Sequence, residues 1–131
     1  MNREKLPLYN PQEQPLAMAD NKSDILQGTL DLLVLKTLDA MGPLHGYGIA
    51  RRIEQLSEEA LLVNQGTIYL CLVRLIQKKW ITSEWGTSEN NRKAKFYAIS
   101  KAGRKQLQSE TKNWERISGV IGRVLQLPGR S

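Results

Sequence analysis

The stretch from residue 64 to residue 100 constrains the fold more than any other part of the chain. Residues 67–79 (TIYLCLVRLIQKK) read as an amphipathic helix, WITSEW as a strand, GTSENNRKA as a polar basic turn and KFYAIS as a second strand. At 100° per residue, Ile68, Leu72, Leu75, Ile76 and the stem of Lys79 share one face of that helix. Leu70, Arg74 and Gln77 lie opposite, with Thr67, Val73 and Lys78 nearer the edges. Asn64 is a good N-cap, because its side-chain oxygen can accept a hydrogen bond from an otherwise unpaired N–H of the first turn. A helix leading straight into a hairpin whose return arm carries Arg92, Lys93 and Lys95 is the pattern of a winged helix-turn-helix. In such a unit the helix can enter a DNA major groove while the hairpin reaches the neighbouring backbone.

The charge distribution agrees with a polyanionic partner. At 131 residues the chain supports one domain with a modest core. Residues 1–86 hold nine basic and ten acidic side chains, whereas residues 87–131 hold ten basic and three acidic. That concentration favours a polyanion, although charge by itself does not separate DNA from RNA or an anionic membrane. Cys71 is the single cysteine, which excludes an intrachain disulfide and suits a reducing compartment. No apolar signal core follows Met1 and no apolar run approaches the ~20 residues needed to span a bilayer. The expectation is a soluble, cytoplasmic protein with no membrane partner.

The fold class expected is mainly α with a small β-hairpin: a winged helix-turn-helix followed by a C-terminal dimerisation helix. Pro7, Pro11 and Pro15 among polar residues make 1–24 read as a flexible arm. Residues 25–100 form the DNA-binding domain, 101–127 the dimerisation helix and 128–131 a tail. From residue 29 to residue 41, Leu30, Leu33, Val34, Leu38 and Met41 follow the template of a buried helix face, ended by Gly42-Pro43. A second helix is expected over Gly46–Leu56, with Ile49, Ala50, Ile53 and Leu56 inward. Leu61-Leu62-Val63 either pairs as a brief strand or packs under the next helix. Ser100 can cap the final helix, which runs to about Leu125. Its stripe of Leu107, Trp114, Ile117, Ile121, Val124 and Leu125, spaced 7, 3, 4, 3 and 1, is covered either by the domain itself or by a seam with a second copy.

Catalytic chemistry has little to stand on, and neither a metal nor a cofactor is expected. His45 is the only histidine, and between Pro43 and Gly46 a capping or packing role suits it better than ligation. Cys71, at the edge of the outward helix face, reads as a small packing residue. The glycines at 42, 46 and 48 lack the Lys-Ser/Thr of a phosphate loop. Recognition chemistry is better supplied. Backbone N–H groups at 64–67 and the positive helix end favour a phosphate. Gly66 removes a side chain where DNA would approach, and Thr67 and Tyr69 offer hydroxyls, though Tyr69 can equally be half-buried against the wing. Arg74 is the candidate for a base-edge contact, with a surface salt bridge as its alternative. Leu70 can meet a thymine methyl or pack within its own domain. Arg92, Lys93 and Lys95, beside the turn-favouring pair Asn90-Asn91, would contact phosphates.

Together, LQGTLDLLVLKTLDAMGPLHGYGIARRIEQL, GTIYLCLVRLIQKKWI and NRKAKFYAISKAGRKQL closely resemble the PadR family of bacterial transcriptional regulators over roughly residues 24–125. The markers are HGYGI at 45–49, GTIY at 66–69, Arg74-Leu75 and FYAISKAGR at 96–104. The single-helix C-terminus is similar to the compact subgroup, and EWGTSENNRKAKFYAIS and NWERISGVIGRVL to a version common in acidobacterial genomes. The resemblance implies a homodimer binding a pseudo-palindromic DNA operator, usually as a repressor. The second helix and residues 66–79 would form the helix-turn-helix, 86–95 the wing, and Lys101–Leu125 the pairing between subunits. Asn64, Gln65, Thr67, Tyr69 and Arg74 would face DNA, supported by Arg92 and Lys93. Some compact members hold flat aromatic effectors against a tryptophan of the last helix, a place open to Trp114, although a stripe tryptophan also serves as core. Where the family commonly shows Pro-Ala-Leu-His-Arg-Leu, this chain has Leu70-Cys71-Leu72-Val73-Arg74-Leu75. The inward Leu72 and Leu75 are retained, so the departure bears on the operator sequence and on DNA affinity rather than on the fold. Two other classes fit a winged helix: a protein–protein assembly module that binds no DNA, and an RNA-binding unit.

Overall fold

Helix formation begins earlier than the amphipathic pattern alone suggests. The computed structural model describes residues 16–58 and 60–130, with side chains from residue 28 onward. In it the first helix, α1, spans Leu16–Met41 rather than starting near residue 29. Ala17, Met18, Ala19, Lys22, Leu26 and Gln27 are good helix formers and no proline interrupts them, so the backbone can be helical before one face turns apolar. The part of the expected arm up to residue 15 lies outside the described residues. Gly42 ends α1, taking φ of +83° while its N–H reaches Leu38 O at 3.0 Å. That left-handed cap is what glycine accepts without a Cβ penalty.

The chain divides into two compact units, Met1–Asp31 and Leu32–Ser131. The described part of the first is helical backbone belonging to α1. The second contains β1 (Leu44–His45), α2 (Gly46–Leu56), α3 (Gln65–Gln77), β2 (Ile81–Thr87), β3 (Lys93–Ile99) and α4 (Lys101–Leu125). Its core takes Val34, Leu35 and Leu38 from α1, Ile49, Ala50 and Ile53 from α2, and Ile68, Cys71, Leu72 and Leu75 from α3. Val63, Ile81, Tyr97 and Leu107 complete it. Each large aliphatic side chain fully buried there contributes roughly 1.5–3 kcal/mol. Met41 and Leu56, expected inward, are exposed because each closes its helix beyond the packed turns. Cys71, expected at the edge of the outward face, is fully buried.

The sheet is antiparallel in the order β1-β3-β2. The hairpin pairs Ile81 with Ile99, Ser83 with Tyr97, Trp85 with Lys95 and Thr87 with Lys93. Leu44 and His45 add the third strand against Tyr97 and Phe96, a pairing too short to leave any periodicity in sequence. Leu61-Leu62-Val63 forms no strand: Val63 is buried, Leu62 is exposed, and Val63 N–H donates to Glu54 Oε2 at 3.3 Å. Among the described residues, no helix is long and apolar enough to cross a membrane.

Candidate nucleic-acid interface

Three local devices aim α3 and the hairpin. Asn64 caps α3 as expected, its Oδ1 accepting from Thr67 N–H at 2.8 Å. At the other end Lys79 takes φ of +64°, Lys79 N–H reaches Ile76 O at 2.9 Å and Trp80 N–H reaches Leu75 O at 3.0 Å. These paired bonds are a Schellman closure, which turns the chain sharply from helix into β2. At the hairpin tip, Asn91 N–H bonds Ser88 O at 2.9 Å and Ser88 N–H bonds Arg92 O at 2.8 Å, with Asn91 at φ +60°. A tight turn followed by a left-handed residue is a favoured three-residue connection, and asparagine tolerates that conformation.

The surface between the start of α3 and the hairpin is a groove of about 480 Å³. Gln65, Tyr69, Arg92, Lys93 and Lys95, all singled out from sequence, line it together. Sequence reasoning missed the contribution of the β1–α2 junction, where His45 of β1 and Gly46 and Tyr47 of α2 form part of the same wall. His45 Nδ1 accepts from Gly48 N–H at 3.0 Å and so caps α2, while its ring meets the edge of Phe96 at 5.4 Å. The capping role expected of this histidine is what the geometry shows. The phenol of Tyr97, at the floor of the groove, is held above its ordinary pKa of 10.0, first by burial and then by the nearby Tyr69.

The other residues proposed for DNA sit outside the groove lining. Thr67 and Leu70 are exposed on α3, with Leu70 at 65% accessibility, while Arg74 on the same face is half-buried. Asn64 and Gly66 are exposed at the helix start. A Cβ at Gly66 would meet only Asn64 Oδ1, at 3.4 Å, so the chain's own packing does not demand a glycine there. On the hairpin, Lys93 and Lys95 place their ammonium groups 5.5 and 5.4 Å from the ring centre of Trp85, a residue the sequence reading did not connect to the site. Among the described residues no group of three His, Cys, Asp or Glu side chains is arranged to hold a metal.

The dimerisation residues expected on α4 divide in two. Leu107 is buried within its own chain, whereas Trp114, Ile117, Ile121, Val124 and Leu125 are exposed, joined by Val120. The α4 start is fixed by Ser100, whose Oγ accepts from Gly103 N–H at 3.0 Å and donates to Lys79 O at 2.8 Å.

A three-helix head with a basic hairpin beside its third helix defines a winged-helix DNA-binding protein. Residues 34–109 match the Transcriptional regulator PadR-like family, and the chain belongs to it. It is therefore a transcriptional regulator of the DNA-binding class that the sequence resemblance implied. A transcriptional regulator from Clostridium thermocellum is similar at TM-score 0.69 and 28% identity, covering 77% of this chain and 97% of that one. A PadR-like transcriptional regulator from Bacillus cereus gives TM-score 0.69 and 25% identity over 81% of this chain and all of that one, 100%. An uncharacterized protein of Lysinibacillus sphaericus, designated X, is 27% identical over 100 residues, which is 76% of this chain and 91% of that protein.

Proposed function

We propose that the chain is a homodimeric repressor that binds a pseudo-palindromic operator in duplex DNA. The observation that carries this reading is the groove itself, where the capped start of α3 and the basic return arm of the hairpin line one surface. In this reading α3 enters the major groove, with Arg74 toward a base edge and Leu70 toward a thymine methyl. Asn64, Gln65, Gly66, Thr67 and Tyr69 address the phosphate at the helix start, and Arg92, Lys93 and Lys95 the backbone beyond it.

Dimerisation is supported by the exposed stripe of α4. Trp114, Ile117, Ile121 and Val124 repeat at 3, 4 and 3, the spacing of a two-helix seam. A second copy would cover that stripe and present two recognition helices, which is what a palindromic site requires. Trp114, 55% exposed at the head of the stripe, is where a flat aromatic effector would lie between subunits.

The test is fluorescence anisotropy of the purified protein with duplex DNA from upstream of its own gene. A scrambled duplex of equal length is the control, each at several salt concentrations. Tight binding that exceeds the scramble as salt rises is expected, with log K falling by about 0.9 per phosphate neutralised. No binding to either duplex at low salt would overturn the reading in favour of a protein-assembly module.

A further inference from the structure

We propose that Trp85 is a positioning residue of the wing, holding Lys93 and Lys95 in place for the sugar–phosphate backbone. The proposal rests on the DNA-binding reading above and adds to it a residue and a role.

Trp85 is 61% exposed on β2, one of the two edge strands of the sheet. It stands directly opposite Lys95 in the hairpin register, and Lys93 is the next residue along the same face. The Lys95 and Lys93 ammonium groups lie 5.4 and 5.5 Å from the centre of its ring, both within cation–π range. Two like charges drawn to one ring repel each other, so the isolated protein gains less from the second lysine than from the first. A phosphate between or beside the two ammonium groups removes that conflict. The arrangement thus suits a bound polyanion better than it suits the free protein.

The alternation of the hairpin places this cluster on the correct side. Thr87, Trp85 and Ser83 share a face with Lys93, Lys95 and Tyr97, and the last three line the groove beside α3. A free lysine loses much of its rotamer freedom when it is fixed on a phosphate, and a ring that already restrains two of them lowers that cost. The indole also brings its own N–H donor and a flat apolar face, the kind of surface that lies against deoxyribose. None of these contacts distinguishes one base pair from another, so the effect should be independent of sequence.

The experiment uses the full chain and the two duplexes described above, with W85A, W85F, K93A/K95A and the triple variant. W85A is expected to weaken binding about three- to tenfold on both duplexes, with W85F recovering most of the loss. In the K93A/K95A background the same change should cost less than twofold, because the lysines it positions are gone. Equal affinity and equal salt slope for W85A and the parent protein would overturn the proposal. So would a W85A loss that persists undiminished without the lysines. Helical content by circular dichroism and mass by light scattering should be unchanged in W85A; a change of mass would assign Trp85 to a contact between copies instead. Parent protein that binds neither duplex would defeat the DNA-binding reading itself, an outcome visible before any variant is made.

Discussion

The two ends of α4 obey different rules. Its first turns belong to the head: Ser100 caps them, Gly103 lies against the Trp80 carbonyl, and Leu107 is buried. From Trp114 onward the apolar residues of the same helix face solvent, reaching 77% exposure at Leu125. One continuous helix thus joins a head whose core is completed by its own chain to a stripe that its own second unit leaves uncovered. An uncovered stripe at coiled-coil spacing is a request for another surface, whereas the head needs none. Substitutions in the two regions should therefore fail in different ways, the first by unfolding and the second by dissociation.

The strongest way to break that contrast is at Gly103. A Cβ there would collide with the carbonyl of Trp80 and come within 2.9 Å of Ile99 Cγ1. Backbone cannot step aside as a flexible side chain would, so G103A should lose about 3 kcal/mol of stability, the upper part of the overpacking range. Chemical denaturation reads the loss, and an unchanged midpoint would remove Gly103 from the joint. Next comes Ile121→Asp, which should weaken the proposed dimer by tenfold or more, about 1.4 kcal/mol or above, as measured by sedimentation. Circular dichroism should show the head still folded; loss of the helical signal would mean the stripe serves the head after all.

Smaller effects sharpen the account of the head. H45A should remove the α2 cap at about 1 kcal/mol, with H45N restoring most of it through another side-chain acceptor. A loss in H45N as large as in H45A would show that the ring's contact with Phe96, not the cap, is what matters. The smallest change expected is a gain. Lys79 holds a left-handed conformation that costs a side-chain-bearing residue energy, so K79G should stabilise the head by up to about 1 kcal/mol in thermal melts.

Much of the site was legible because local chemistry decides it. Asn64 and Ser100 are caps in sequence and in structure, and Asn90-Asn91 forms the turn of the hairpin. The second helix has the bounds its periodicity suggests. What stayed hidden depends on encounters between distant residues. The strand Leu44–His45 exists only because β3 offers a partner, and His45 and Tyr47 join the groove only because α2 begins beside the hairpin. Trp85 carries no meaning until the register sets it opposite Lys95.

The sequence by itself determined where the helices of the head are capped, where the chain turns, which residues carry positive charge and which faces are apolar. Those properties follow from backbone hydrogen bonding and side-chain period within a few residues. Tertiary structure alone decided which apolar faces find cover. Leu107 and Ile121 look equivalent along one stripe, yet the first is buried and the second is exposed. Periodicity reports that a face avoids water; only the position of the surrounding elements determines whether its own chain can shield it.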